Sequence, residues 1–169
     1  MSKEEYLLAT REDLAAISHL FRHTIKTVAS KDYSAQEIAS WSEGAKNTDN
    51  WLKRIDTHYY LLIKVEDKLI GMASLDKTGY LDVIFVHPQH QGEGIASALL
   101  LKMENKALED GHNVITSDVS ITAKPFFLHK GYSIVKPQLV LCRGVVLRNY
   151  HVKKNFDNLN CNYSGTQDK

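Results

Sequence analysis

Residues 86–100 read Val-His-Pro-Gln-His-Gln-Gly-Glu-Gly-Ile-Ala-Ser-Ala-Leu-Leu, with Gly92 and Gly94 set between a β-branched apolar run and a strongly helical one. Two glycines one residue apart disfavour a helix start unless the backbone there has another duty. Pro88 ends the apolar run, because it has no amide proton and pushes His87 into an extended conformation. The following helix starts near Gly94, and its first amides have no partner within the helix. Together with the helix dipole they form an anion site, and glycines without Cβ let a phosphate reach them. Gln91, Gly92, Glu93, Gly94, Ile95 and Ala96 are therefore candidate binding residues. Glu93 is an odd neighbour for an anion, although it is favourable towards the dipole and free to point into solvent. A plain strand-to-helix turn fits the same spacing. The stretch lacks the Gly-Lys-Ser/Thr ending of a P-loop, and no third glycine or ribose-binding acid completes a dinucleotide fingerprint.

Asp82 is the only acid in Tyr-Leu-Asp-Val-Ile-Phe-Val, a run that otherwise reads as a buried strand. That makes it a candidate general base; a solvent-facing or capping carboxylate fits the pattern equally. His87 and His90 flank the glycine turn, and His58 and His129 lie elsewhere, all ordinary for surface histidines. The eight histidines show no ligand spacing with carboxylates, so no metal is expected.

The elements that must position these groups follow from the rest of the chain. With 169 residues the chain suits one domain, and 21 Lys and Arg against 20 Asp and Glu give a net charge of +1. That balance removes the electrostatic case for a nucleic-acid partner. The N-terminus has no signal-like apolar segment and no stretch approaches transmembrane length, so a cytoplasmic protein without a membrane partner is expected. Cys142 and Cys161 offer neither metal spacing nor a structural disulfide.

Residues 5–9 read as a short strand. Thr10 with Asp13 reads as a helix start for an amphipathic helix over 11–25, and Ser34 with Glu37 caps a second helix carrying Ile38 and Trp41. A third spans 50–55. Two apolar runs around Glu66-Asp67-Lys68 form a hairpin, followed by the strand 80–86 and the helix 93–109. Residues 113–119 read as a strand and 122–130 as a short helix with Pro125 in its first turn. Two strands hinged near Arg143-Gly144 close the domain, 1–154, leaving 155–169 as a flexible polar tail. This order predicts an α/β (α+β) sandwich with one mixed sheet.

Tyr-Leu-Asp-Val-Ile-Phe-Val-His-Pro-Gln-His-Gln-Gly-Glu-Gly-Ile-Ala-Ser-Ala-Leu-Leu resembles the acetyl-CoA signature of the GNAT superfamily of N-acetyltransferases. The family core Gln/Arg-x-x-Gly-x-Gly/Ala is matched by Gln91, Gly94 and Ala96. Residues 120–132, Ser-Ile-Thr-Ala-Lys-Pro-Phe-Phe-Leu-His-Lys-Gly-Tyr, are similar to the family's second CoA-contacting segment, and the element order over 5–153 agrees throughout. The resemblance is closest to the small bacterial-type branch.

The resemblance implies a mostly antiparallel sheet of about seven strands flanked by helices, with two central parallel strands splayed apart to admit the pantetheine arm of acetyl-CoA. Ile84, Phe85 and Val86 would offer it backbone groups, residues 91–96 would hold the pyrophosphate, and Ser120 stands where the family often has an Asn touching pantetheine. It implies direct attack of a primary amine, of a small molecule or peptide, on the thioester, with a strand amide stabilising the carbonyl oxygen. An alkylamine is protonated at neutral pH, so a proton acceptor is needed. One departure stands out. The place of the family's acid tyrosine is Phe127, which has no proton to give. Tyr132 and Tyr150 are the hydroxyl-bearing candidates to replace it, and a non-catalytic acyl-CoA-binding or sensor domain is the alternative reading. The amine side is expected at the N-terminal helices with Tyr33, Trp41 and Trp51, which fit core positions as well. The hairpin 140–150 offers a candidate edge for a homodimer.

Overall fold

The computed structural model describes residues 3–156. In chain order these form β1 (Glu4–Leu8), α1 (Leu14–Thr27), α2 (Ala35–Ser42), α3 (Thr48–Thr57), β2 (Tyr59–Val65), β3 (Lys68–Leu75), β4 (Leu81–Val86), α4 (Ile95–Glu109), β5 (Val114–Ser120), α5 (Lys124–His129), β6 (Ser133–Cys142) and β7 (Val145–Asn155).

Local chemistry sets most boundaries. At Ser34 the hydroxyl accepts from the Glu37 amide at 3.2 Å and the Glu37 carboxylate accepts from the Ser34 amide at 2.7 Å, a closed capping box. At Thr10 the amide likewise donates to Asp13, but Arg11–Asp13 form a 3₁₀ turn, and α1 itself begins at Leu14 and runs to Thr27. The third helix is longer than its apolar residues suggested, because Asn47 caps it through the Asn50 amide. Glu66 and Asp67, at φ 49° and 62°, make the tight turn between β2 and β3.

The strands form two hydrogen-bonded groups, β1-β2-β3-β4 and β5-β7-β6, antiparallel within each. The parallel neighbours β4 and β5 meet only at their starts. Tyr80 bridges Thr116, the Thr116 amide donates to the Gly79 carbonyl at 3.3 Å, and the buried Ser117 hydroxyl donates to the Leu81 carbonyl at 2.7 Å. Beyond these contacts the two strands diverge, so the single mixed sheet expected from element order is a sheet split down its centre.

An apolar cluster lies on each side. One gathers Leu99, Met103 and Ala107 of α4 with Ile63, Ile115, Val152 and Phe127. The other packs Ile17, Leu20 and Ile25 of α1 and Trp51 of α3 on Leu62, Met72 and Val83. The fold continues past the boundary expected at residue 154: β7 reaches Asn155 and the buried Phe156 donates its amide to Asn113. Residues 157–169, with Cys161 and most of the expected tail, lie outside the described residues.

At Gly71 of β3, α4 packs tightly on the sheet. A Cβ there would stand 2.9 Å from Ile95 Cγ2 and 3.2 Å from Leu99 Cδ1. Gly71→Ala is expected to destabilise the protein by about 1–2 kcal/mol in urea unfolding, the overpacking outweighing the entropy that alanine removes from the unfolded chain.

Candidate active site

The glycine turn is built as its sequence demands. Gly92 and Gly94 lie at φ +77° and +83°, left-handed backbone that side-chain-bearing residues rarely adopt. A Cβ at either would meet nothing within 4 Å, so conformation alone calls for glycine and open space stands before the amides. The Ala98 amide makes the first helical bond, to the Gly94 carbonyl at 3.0 Å. The amides of Ile95, Ala96 and Ser97 therefore have no partner within α4, and these residues line a cavity of about 470 Å³.

The side chains of the turn have separate tasks. Gln91 Nε2 donates to the Val86 carbonyl at 2.7 Å and braces the end of β4. The Glu93 carboxylate turns outward to His90 Nδ1 at 2.9 Å, which removes it from the space before the amides. Ile95 is buried in the core, so only its backbone faces the turn.

β4 supplies the next part of the cavity. The His87 amide donates to the Ile70 carbonyl, and antiparallel alternation then places Val83 and Phe85 in the ladder with β3. The backbone groups of Ile84 and Val86 face the split. The Val86 carbonyl is taken by Gln91 and by the Thr24 hydroxyl at 3.3 Å. Of the three β4 residues expected from the resemblance, Ile84 and Val86 can thus present backbone groups, whereas Phe85 contributes its side chain, stacked edge-on against Phe21 at 5.3 Å. Across the split, Ser120 lines the cavity while its hydroxyl accepts from the Ala123 amide at 3.0 Å.

Trp41, Asp82, Asp118 and Phe127 also line the cavity, Asp82 at the end of β4 away from the glycine turn. Asp82 is not a free carboxylate. Arg54 of α3 holds both its oxygens, Nε at 2.6 Å and Nη2 at 3.3 Å, with His58 Nδ1 at 3.8 Å. Tyr132 is buried beneath α4 and donates to Glu104 Oε1 at 3.2 Å; burial first, then Glu104, pushes its ionisation well up. It does not line the cavity, and the structure does not bring it together with the other candidates. Tyr150 of β7 is opposite Val119, its ring covered by Lys124 Nζ at 4.3 Å, and it too is absent from the lining.

The three N-terminal aromatics separate by role. Trp51 is core, its Nε1 donating to the Gly44 carbonyl at 3.0 Å. Tyr33 ties elements together: its hydroxyl donates to the Arg148 carbonyl at 2.6 Å and accepts from the Ile121 amide at 2.9 Å. Trp41 alone of the three lines the cavity. Sequence reasoning missed Asp118, whose Oδ1 accepts from His151 Nδ1 at 2.7 Å and Gln138 Nε2 at 3.0 Å. The period-two pattern of 113–119 could have found it, as the one acid on that strand.

Behind the turn four imidazoles form a row: His19 to His23 at 5.8 Å, His23 to His87 at 5.3 Å and His87 to His90 at 5.7 Å between ring centres. Burial, then the neighbouring imidazoles, holds His87 below the ordinary histidine range, and burial does the same for His58. A histidine lowered in the folded state takes up its proton more readily when unfolded. Its contribution to stability is therefore complete above about pH 6.5 and is lost as pH falls below it. The thermal midpoint is expected to be flat above neutrality and to fall on acidification below it, less steeply in His87→Asn.

The chain matches the Acetyltransferase (GNAT) domain family over residues 29–153. It is 31% identical over 141 residues to the uncharacterized N-acetyltransferase YafP of Escherichia coli K12, covering 83% of this chain and 89% of that protein. A GCN5-related N-acetyltransferase structure from Rhodopseudomonas palustris superposes with a TM-score of 0.87 at 26% identity, over 92% of this chain and 97% of that one. The PaiA N-acetyltransferase of Thermoplasma acidophilum, solved in complex with coenzyme A, gives 0.76 at 19% identity over 90% and 99%. With a split sheet, an uncapped glycine turn and these matches, the chain belongs to the GNAT family of acetyltransferases.

Proposed function

We propose that the protein transfers the acetyl group of acetyl-CoA to a primary amine of a small molecule or peptide, by direct attack on the thioester. The observation that carries this reading is the continuity of one cavity from the amides of Gly94–Ser97, along the open edge of β4, to Asp82 and Asp118. The chain's own groups fit such a donor: unpartnered helix amides for a pyrophosphate, and strand amides for an extended arm. The coenzyme A bound to the Thermoplasma relative supports the same ligand here.

Each group then has a task. The amides of residues 95–97 hold phosphate charge with the help of the α4 dipole. The backbone N–H of Ile84 or Val86, turned to the split and fixed by the ladder behind it, donates to the thioester carbonyl and stabilises charge developing there. Thr24, Ile25, Trp41 and Phe127 enclose the reacting end and exclude water. The hydroxyl missing at Phe127 is not required, because a thiol of ordinary pKa, about 8.5, leaves as thiolate near neutral pH without an acid. The free edge of β6, with Leu139 and Leu141 exposed, leaves room for a second copy to pair.

Calorimetric titration with acetyl-CoA followed by a thiol-release screen over amines tests the reading. Binding and release are expected. Absence of binding by folded protein overturns it, and binding without release to any amine selects the sensor reading, which Phe127 alone favours.

A further inference from the structure

The amine that attacks the thioester arrives protonated, and the acid in β4 is already spent. Arg54 occupies both oxygens of Asp82, so a proton placed there must break a charge-assisted pair. Across the split the situation differs. Asp118 of β5 lines the cavity, and β5 and β7 are in register so that Asp118 faces His151. Directly opposed residues of an antiparallel pair project to the same face, here the side on which Leu147 joins the α1–α3 cluster and Trp41 bounds the cavity. The side chains meet at 2.7 Å through Nδ1, and Asp118 Oδ1 is further fixed by Gln138 Nε2 at 3.0 Å, which also donates to Asn149 Oδ1 at 3.0 Å. A carboxylate on Nδ1 keeps the proton at that nitrogen and leaves the Nε2 lone pair free.

We propose that His151 is the proton acceptor for the attacking amine, and that Asp118 is its positioning residue. This rests on the acetyl-transfer reading above. The acceptor ammonium gives one proton through water to His151 Nε2, and the resulting imidazolium is held by the Asp118 carboxylate. The freed nitrogen lone pair forms the new C–N bond at the thioester carbonyl. The C–S bond breaks with its electron pair on sulfur, and the second amine proton passes to solvent. His151 returns its own proton to solvent between turnovers. Of the pair only Asp118 lines the cavity; His151 stands behind it, braced by the carboxylate, with 27% of its side chain exposed to the water that would carry the proton.

The probe is the alkylamine giving the fastest thiol release with wild type, at saturating acetyl-CoA. His151→Gln is expected to lower kcat/KM for that amine by at least about 100-fold at neutral pH, the scale of general-base catalysis. It should remove the acidic limb of the pH–rate profile and leave acetyl-CoA affinity by calorimetry within about twofold, or about 0.4 kcal/mol. Added imidazole should restore part of the rate. Asp118→Asn should lower kcat for the same amine and leave KM within about twofold, because the imidazole loses its brace while the amine keeps its site. A His151→Gln enzyme with the wild-type rate and limb overturns the proposal, and so does a loss that acetyl-CoA affinity follows. Wild type that releases no thiol with any amine refutes acetyl transfer itself, before the variants are compared.

Discussion

Gly94→Val is expected to weaken acetyl-CoA binding by at least about 100-fold, or about 2.7 kcal/mol, while Gly111→Val leaves the affinity unchanged. The two positions form a matched pair. Gly94 starts α4 at φ +83° and Gly111 follows its other end at φ +86°, and a Cβ at either meets nothing within 4 Å. Each substitution therefore imposes the same left-handed strain without a clash, a cost of about 1–2 kcal/mol in stability. Only at Gly94 does relieving that strain rotate the unpartnered amides that open the helix. If both variants lose affinity equally, global destabilisation rather than the amide cradle is responsible. If neither does, the glycines serve the turn alone. Calorimetry at a temperature where both variants are folded reads the difference.

The second large effect concerns Arg54 and Asp82. Their side chains are 23% and 19% exposed, and the pair is nearly bidentate. Removing one member leaves the other charged in a half-dry place. Breaking a fully buried pair costs about 3–5 kcal/mol, so Arg54→Met or Asp82→Asn should cost about 2 kcal/mol each at this exposure. The double variant should lose clearly less than the sum, because no orphan charge is left. A urea-unfolding cycle measures this coupling. Strictly additive losses would show that the pair does not brace α3 against β4, and Asp82 would again be available to take a proton. Arg54 also lies 4.9 Å over the Trp51 ring, so its own loss should slightly exceed that of Asp82.

What the chain revealed in advance was local. Pro88, the glycine pair and the apolar run of α4 lie within a few residues of one another, and the turn they predict is the turn that forms. The same holds for the Ser34 capping box and for the two-residue hairpins at Glu66-Asp67 and Arg143-Gly144. The split between β4 and β5 was legible only through family resemblance, since no periodicity encodes where two parallel strands part. The chemistry of individual side chains was hidden because their partners are distant in sequence. Asp82 reads as a lone acid until α3 brings Arg54 from 28 positions away. Tyr132 reads as an available hydroxyl until α4 and β7 enclose it with Glu104 and Lys154. Trp41 and Trp51 are alike in sequence, and only the packing of α2 and α3 sends one to the cavity and the other to the core.

The split sheet also divides the chain in order along its length. Among the described residues, 4–86 supply the strands of one ladder and 114–155 those of the other, with no strand exchanged between them. The β2-β3-β4 and β6-β7 hairpins are local, whereas β1 reaches β2 only across α1–α3 and β5 reaches β7 only across α5 and β6. Each ladder therefore closes partly through long, slower connections. All-or-none unfolding must then come from elsewhere, because a single bridge and one hydroxyl cannot couple two ladders. The coupling falls to the two apolar clusters. Leu99, Met103 and Ala107 of α4 share one with Ile63 of the first ladder and Ile115 and Val152 of the second, and in the other Leu147 of the second ladder joins Leu62, Met72 and Val83 of the first. The helix that opens on the glycine turn is thus also one of the two ties holding the halves to a single transition, and loosening its packing would weaken their cooperativity.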